Sequence, residues 1–205
     1  MKNVARVVTC GLCVLGLSAC MGEGDDEPVF SNGILTLEVP DDATYAELPA
    51  GLQSMVDEVI TSNTNSGAAT QPASGASTYS GTFGMSIGED GALASGAANL
   101  SVDASADIDY TFTVSSLQGA DNPDATLTGS FGGSGSVAGG YFDGGLAGTL
   151  SFDADGASGG SAPQAANISG NLTGAFDANG DGFGGMSGTI GADDEFTGLF
   201  HTTLD

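Results

Sequence analysis

From Thr78 onward, apolar and polar positions alternate with a period of two: Tyr79, Gly81, Phe83, Met85 and Ile87 interleave with Thr, Ser and Gly. The same alternation runs through Leu100, Val102, Ala104, Ala106, Ile108, Tyr110, Phe112 and Val114. Successive side chains of a strand point to opposite faces, so this spacing predicts half-buried antiparallel strands. A shorter unit, apolar-x-Gly-x-apolar, recurs as Tyr79-Gly81-Phe83, Leu127-Gly129-Phe131, Leu146-Gly148-Leu150, Leu172-Gly174-Phe176, Met186-Gly188-Ile190 and Phe196-Gly198-Phe200. Each glycine shares the inward face with its two apolar neighbours. Glycine weakens an ordinary strand, but a strongly coiled strand closing a narrow barrel needs small residues where side chains crowd. Turn signals at Gly88 to Gly91, Gly119 to Pro123, Asp143-Gly144-Gly145, Asp153 to Gly156, Asp177 to Gly182 and Gly191 to Asp194 divide the region into eight or nine segments. The expected fold class is therefore all-β: a single soluble, Gly-rich, eight-stranded antiparallel β-barrel over 78–205, closed so that no strand edge is left exposed.

Upstream the pattern changes twice. Residues 30–60 predict a short strand from Phe30 to Val39, with Leu35, Leu37 and Val39 on one face, then an amphipathic helix. Its stripe is Leu48, Leu52, Met55, Val56, Val59 and Ile60, with Pro49 in the first turn and Asp42 or Thr44 as cap. That helix is expected to dock on the barrel. Residues 61–77 are Ser, Thr, Asn, Gly, Ala, Gln and Pro without an aromatic residue, the composition of a flexible linker.

Residues 1–19 carry Lys2 and Arg6, an apolar run from Val7 to Leu17 and then small residues, the layout of a secretory signal peptide. The run falls short of the roughly 20 residues a spanning helix needs. Leu17-Ser18-Ala19-Cys20 is a lipobox, so the mature chain is expected to begin at a lipid-modified Cys20 and to hold the membrane through that anchor. Residues 20–29 follow as an acidic tether. Position plus two is Met21 rather than Asp, which favours the outer membrane over retention at the inner one.

Processing changes the charge. Both basic residues lie in the signal, so the mature chain keeps 26 Asp and Glu against no Lys or Arg, a formal charge of 0 − 26 = −26, with His201 as its one cationisable side chain. Phosphate backbones are held by Lys and Arg, so nucleic acid is excluded as a partner, along with anionic lipid and nucleotide phosphates. Two of the three cysteines, Cys10 and Cys13, are also removed, so the mature chain forms no internal disulfide and a monomer is expected.

Candidate chemistry is sparse. Asp177, Asn179 and Asp181, with Gly182 behind them, match the first half of a calcium loop, and Asp153 and Asp155 offer weaker oxygen donors. Position twelve is Gly188 where the bidentate Glu belongs, so weak calcium binding is the most this segment predicts; no other cofactor is expected. His201 has no partner in sequence and is expected to point to solvent. Trp is absent, aspartic-protease signatures are absent and the acids cluster in turns. The chain reads as a non-enzyme. A membrane-spanning barrel would need an apolar outer band with aromatic girdles. Here the outward positions are Ser, Thr, Asp, Asn and Gly.

Leu172-Thr173-Gly174-Ala175-Phe176, the loop to Phe183-Gly184-Gly185-Met186-Ser187-Gly188-Thr189-Ile190, and Phe196-Thr197-Gly198-Leu199-Phe200 are similar to the terminal hairpins of the transferrin-binding protein B family. With the lipobox and the low-complexity linker, residues 78–205 resemble one barrel of those surface lipoproteins. The resemblance implies an eight-stranded barrel on the cell exterior that binds an extracellular protein or an iron-related ligand. The family's iron-protein binders carry two lobes, each a handle beside a barrel, whereas one barrel is evident here, and no family contact residue maps onto these loops. The alternative expectation is a structural or protective acidic envelope lipoprotein without a specific ligand, weakly calcium-binding at most.

Overall fold

The computed structural model describes residues 6–7, 30–31, 34–35, 37–40, 42–65, 76–88, 92–119, 124–154, 162–192 and 194–205. The lipobox and Cys20, the tether at 20–29, most of the linker, and the turn residues 89–91, 120–123 and 155–156 lie outside the described residues.

Four two-residue strands open the chain: β1 (Arg6–Val7), β2 (Phe30–Ser31), β3 (Ile34–Leu35) and β4 (Glu38–Val39), with β1 pairing β4 and β2 pairing β3. Helices α1 (Asp42–Glu47) and α2 (Ala50–Asn65) follow. The remaining strands are β5 (Ser77–Ile87), β6 (Ala92–Val102), β7 (Asp107–Gln118), β8 (Thr126–Ala138), β9 (Tyr141–Asp153), β10 (Gln164–Phe176), β11 (Gly182–Ile190) and β12 (Asp194–Leu204). These eight form a closed antiparallel barrel in which each strand pairs its sequence neighbours and β12 returns to β5.

The recurrent glycine has a visible cause in the register. Phe83 lies opposite Gly96, Phe131 opposite Gly148, Phe142 opposite Gly174, and Phe196 and Phe200 opposite Gly188 and Gly184. Each ring occupies the inward space that the glycine on the next strand leaves open. A Cβ at Gly174 would stand 2.6 Å from Cε2 of Phe142. Cross-strand packing is the unit of sheet stabilisation, and these pairs serve it with one large and one absent side chain.

The rings then meet across the axis. Phe112 lies 5.5 Å from Phe83, 5.3 Å from Phe131 and 5.6 Å from Phe200, centroid to centroid, while Phe142 lies 5.1 Å from Phe176, itself 5.0 Å from Tyr79. Side chains fill the interior as a packed core. Tyr110 enters the same core yet keeps its hydroxyl bonded to the Gly145 carbonyl at 2.9 Å, and burial beside Asp143 and Asp109 pushes that phenol up to about 12.

Several sequence expectations change here. The alternation from Leu100 to Val114 is not one strand: Asp103 to Ala106 form a turn in which Ala104 is exposed while Ala106 still packs against the core. Asp143-Gly144-Gly145 is strand rather than turn, because Tyr110 needs that space; the actual β8–β9 turn is Gly139-Gly140, both with left-handed φ of 62° and 84°. Phe30 to Val39 is broken into short bridges instead of one strand. Residues 42–47 form a separate helix, and α2 runs on to Asn65, its last turn occupying the first positions of the expected linker. No helix among the described residues is long and apolar enough to cross a membrane.

Candidate functional site

Helix α2 lies on the outer wall of the barrel. Leu52, Met55, Val56 and Val59 recur at three- and four-residue spacing and bury against Ala175, Phe183 and Leu199, which point outward from β10, β11 and β12. Gly84 of β5 lets Leu52 approach to within 3.1 Å of the position a Cβ would take. Leu35 and Leu37 close the same cluster. The stripe continues into Ser62 and Asn63, both buried, whereas Ile60 is 36 % exposed and belongs to the solvent side. Asn63 acts as a strand surrogate: its Oδ1 accepts the Leu35 N–H at 3.2 Å and its Nδ2 donates to the Leu35 carbonyl at 2.9 Å.

Beyond the apolar stripe the junction turns polar. His201, expected in solvent, is 7 % exposed under α2. Its Nδ1 stands 3.2 Å from Glu58 Oε2, and its Nε2 3.5 Å from Ser62 Oγ. Ser62 in turn donates to Asp177 Oδ2 at 3.0 Å. Period two correctly puts His201 outward, but an outward position is solvated only where nothing covers it. The signal that could have found the cluster is the helical spacing of Glu58 and Ser62, four residues apart on the face that docks.

Serine, imidazole and carboxylate follow one another here in the order of a nucleophilic relay. The chemistry differs. A nucleophile needs its proton taken by imidazole and donors placed where an oxyanion develops. The Ser62 hydroxyl donates instead to Asp177 and is buried against the barrel wall. The arrangement holds α2 in place.

The calcium-loop residues are placed as follows. Asp177 is buried, and its Oδ1 accepts the N–H groups of Asn179 at 2.8 Å and Asp181 at 3.0 Å, while Oδ2 takes Ser62. Asn179 is exposed and Asp181 half-buried. Burial and the neighbouring Asp177 push the Asp181 carboxyl up, with His201 opposing. The β6–β7 turn has the same construction without the calcium spacing: Asp103 Oδ1 accepts the N–H groups of Ser105 at 2.7 Å and Asp107 at 3.0 Å. In both turns the fourth residue is left-handed, Ala106 at 64° and Gly180 at 87°. The shared aspartate is thus a hairpin former that satisfies backbone donors. Among the described residues no group of three or more His, Cys, Asp or Glu is placed to hold a metal ion.

The wall away from α2 is polar. Outward positions of β7 to β10 form a cross-strand row, with Thr113 beside Ser130 at 3.3 Å and Thr149 beside Asn167 at 3.4 Å. Charged side chains on this wall, such as Asp107 and Asp109, are acidic.

No protein-family profile matches the chain, and no curated protein matches it. Among solved structures, the isotype 1 transferrin-binding protein B from serogroup B Neisseria meningitidis is similar at 18 % identity and a TM-score of 0.40, over 69 % of this chain. The match spans 28 % of that protein.

Proposed function

We propose that the chain is a lipoprotein anchored in the outer membrane through Cys20 and displayed on the cell exterior, where its barrel binds a protein or iron-related ligand through its outer wall and loops rather than through its interior. The observation that carries the location of binding is the filled barrel: rings meet across the axis at 5.3 to 5.6 Å, so a ligand finds its contacts outside. The lipobox and the resemblance of Leu172 to Phe200 to surface-lipoprotein hairpins support the anchoring and the display. Exposed Asp109, Thr111, Thr113, Thr128, Ser130 and Ser134 give this wall to water instead of acyl chains, which supports a barrel standing off the membrane. With its acidic surface the preferred partner is cationic or neutral.

The test places a photo-crosslinking residue at Thr113 or Thr149 in the full chain on intact cells, incubated in the native medium. A discrete protein adduct at these outward positions is expected. A small ligand co-purifying from inside the barrel would overturn the exterior reading. The uniform acidity favours a second reading, a protective envelope protein without a ligand, which predicts no adduct at any outward position.

A further inference from the structure

Ahead of the barrel the chain doubles back on itself. Leu35 of β3 lies buried against the outer wall, α1 and α2 follow, and Asn63 in the last turn of α2 returns to hold Leu35 by both backbone groups, at 3.2 Å and 2.9 Å. The two residues are 28 positions apart, so one primary amide clasps the ends of a long loop. It supplies donor and acceptor together, which no carboxylate can. The loop is held to the barrel by side chains: the barrel strands pair with one another around a closed ring, and among the described residues none of them pairs with β3 or β4. The α2 stripe with Leu35 and Leu37 covers Ala175, Phe183 and Leu199, and Ser62 donates to Asp177. Helix α2 is a poor helix by itself. From Val59 to Asn65 it is made of β-branched residues, Ser and Asn, with no acidic residue in its first turn and no basic one in its last. A 16-residue helix of this composition melts once it leaves its support. Undocking and unfolding of the loop are therefore one event, and the ring of barrel strands loses no ladder bond by it.

We propose that the Asn63–Leu35 clasp stores slack: residues 36–62 lie folded on the barrel as a releasable loop that opens as a unit while the barrel stays closed, lengthening the connection between the Cys20 anchor and the barrel. The lengthening rests on the anchoring at Cys20 proposed above; the opening does not. With the clasp closed, tension from the N-terminal side crosses from Leu35 to Asn63 and bypasses the loop. With it open, 28 further positions extend, at most about 90–100 Å at roughly 3.3–3.6 Å each. Opening uncovers Phe183 and Leu199, and the cost of wetting them draws the loop back when the tension ends. The device is reversible extension under load, as when a partner bound to the barrel is pulled away from the cell.

Hydrogen exchange of the full chain reads the opening. Amides from Leu52 to Asn63 are expected to exchange by local opening, at least about tenfold less protected than those of β7 and β8. Asn63→Asp keeps an acceptor for the Leu35 N–H and removes the donor to its carbonyl; it is expected to lower α2 protection by about 5- to 20-fold and to leave β7 and β8 unchanged. Equal protection of α2 and the barrel in the parent chain overturns the proposal, as does an Asn63→Asp chain in which α2 does not respond or the barrel loses protection with it. Single-molecule force measurement reads the length, on the mature chain held at Cys20 and at the exposed barrel position Ser130→Cys. A reversible gain in contour length of about 90–100 Å before any barrel event is expected, at lower force in Asn63→Asp. Barrel opening first, or a first step of another length, overturns it. Both measurements use purified chain, so a failure of surface display in cells leaves their outcome untouched, and a failed clasp leaves the display reading untouched.

Discussion

Truncation of Phe112 tests whether the barrel is a packed core. Phe112 is fully buried and lies 5.3 to 5.6 Å from Phe131, Phe83 and Phe200, with Tyr110 at 6.3 Å. Phe112→Ala removes the ring from a site walled by other rings, where the surroundings relax only partly. Loss of transfer energy plus the residual cavity costs about 3–5 kcal/mol. The edge and stacked contacts add about 0.5–1.5 kcal/mol per pair beyond area, so the upper half of that range, about 4–5 kcal/mol, is expected. A domain of this size has about 5–15 kcal/mol in total, so the variant folds marginally or close to it. At roughly 3–6 °C per kcal/mol, the melting temperature falls by about 12–30 °C. Calorimetry or circular dichroism at pH 7 reads this directly, and Phe112→Leu, which keeps most of the volume, is expected to lose far less. A drop under about 3 °C for Phe112→Ala would mean that the ring borders solvent, refuting the filled interior and with it the argument for binding on the exterior.

Gly174→Val forces a branched side chain into the ring of Phe142 and is expected to destabilise by about 2–3 kcal/mol in urea denaturation, although valine is the better strand former. Ala106→Gly relieves the left-handed strain at 64° and is expected to stabilise by about 0.5–1 kcal/mol, net of the entropy glycine adds to the unfolded chain. Asp181→Asn tests the raised carboxyl. Because the folded state holds that proton more tightly than the unfolded one, stability from this group is present at low pH and is lost as pH rises through the folded value. The variant is therefore expected to melt above the parent at pH 7 and to match it near pH 3. Millimolar calcium, compared with chelator, is expected to leave the melting temperature unchanged, since Asp177 already spends its oxygens on Asn179, Asp181 and Ser62; an increase of several degrees would revive an ion site at that turn.

Much of the barrel was legible because its physics is local. Alternation over Tyr79 to Ile87 states which face is buried, and the apolar-x-Gly-x-apolar unit states that the barrel is narrow. What the unit does not state is the partner: that Gly174 answers Phe142 and Gly96 answers Phe83 is a property of register, set by strands distant in sequence. The same limit explains the misplaced turns. Asp103 to Ala106 carries no Gly, Pro or Asn at its left-handed position, so it reads as continuing strand; Asp143-Gly144-Gly145 carries two glycines, yet lies within β9, where Gly144 makes room for the Tyr110 hydroxyl. The helix–barrel junction was legible only on its helical side. The stripe through Val59 predicted docking, but His201, Ser62 and Asp177 converge from positions 62, 177 and 201, and no spacing rule joins them.

Protease treatment of intact cells measures the central claim most directly. If the chain is held by Cys20 on the cell exterior, protease added outside is expected to release a soluble barrel fragment into the medium, and Cys20→Ala is expected to abolish this anchored, surface-accessible pool. Protection of the full-length chain until the outer membrane is permeabilised would contradict surface display.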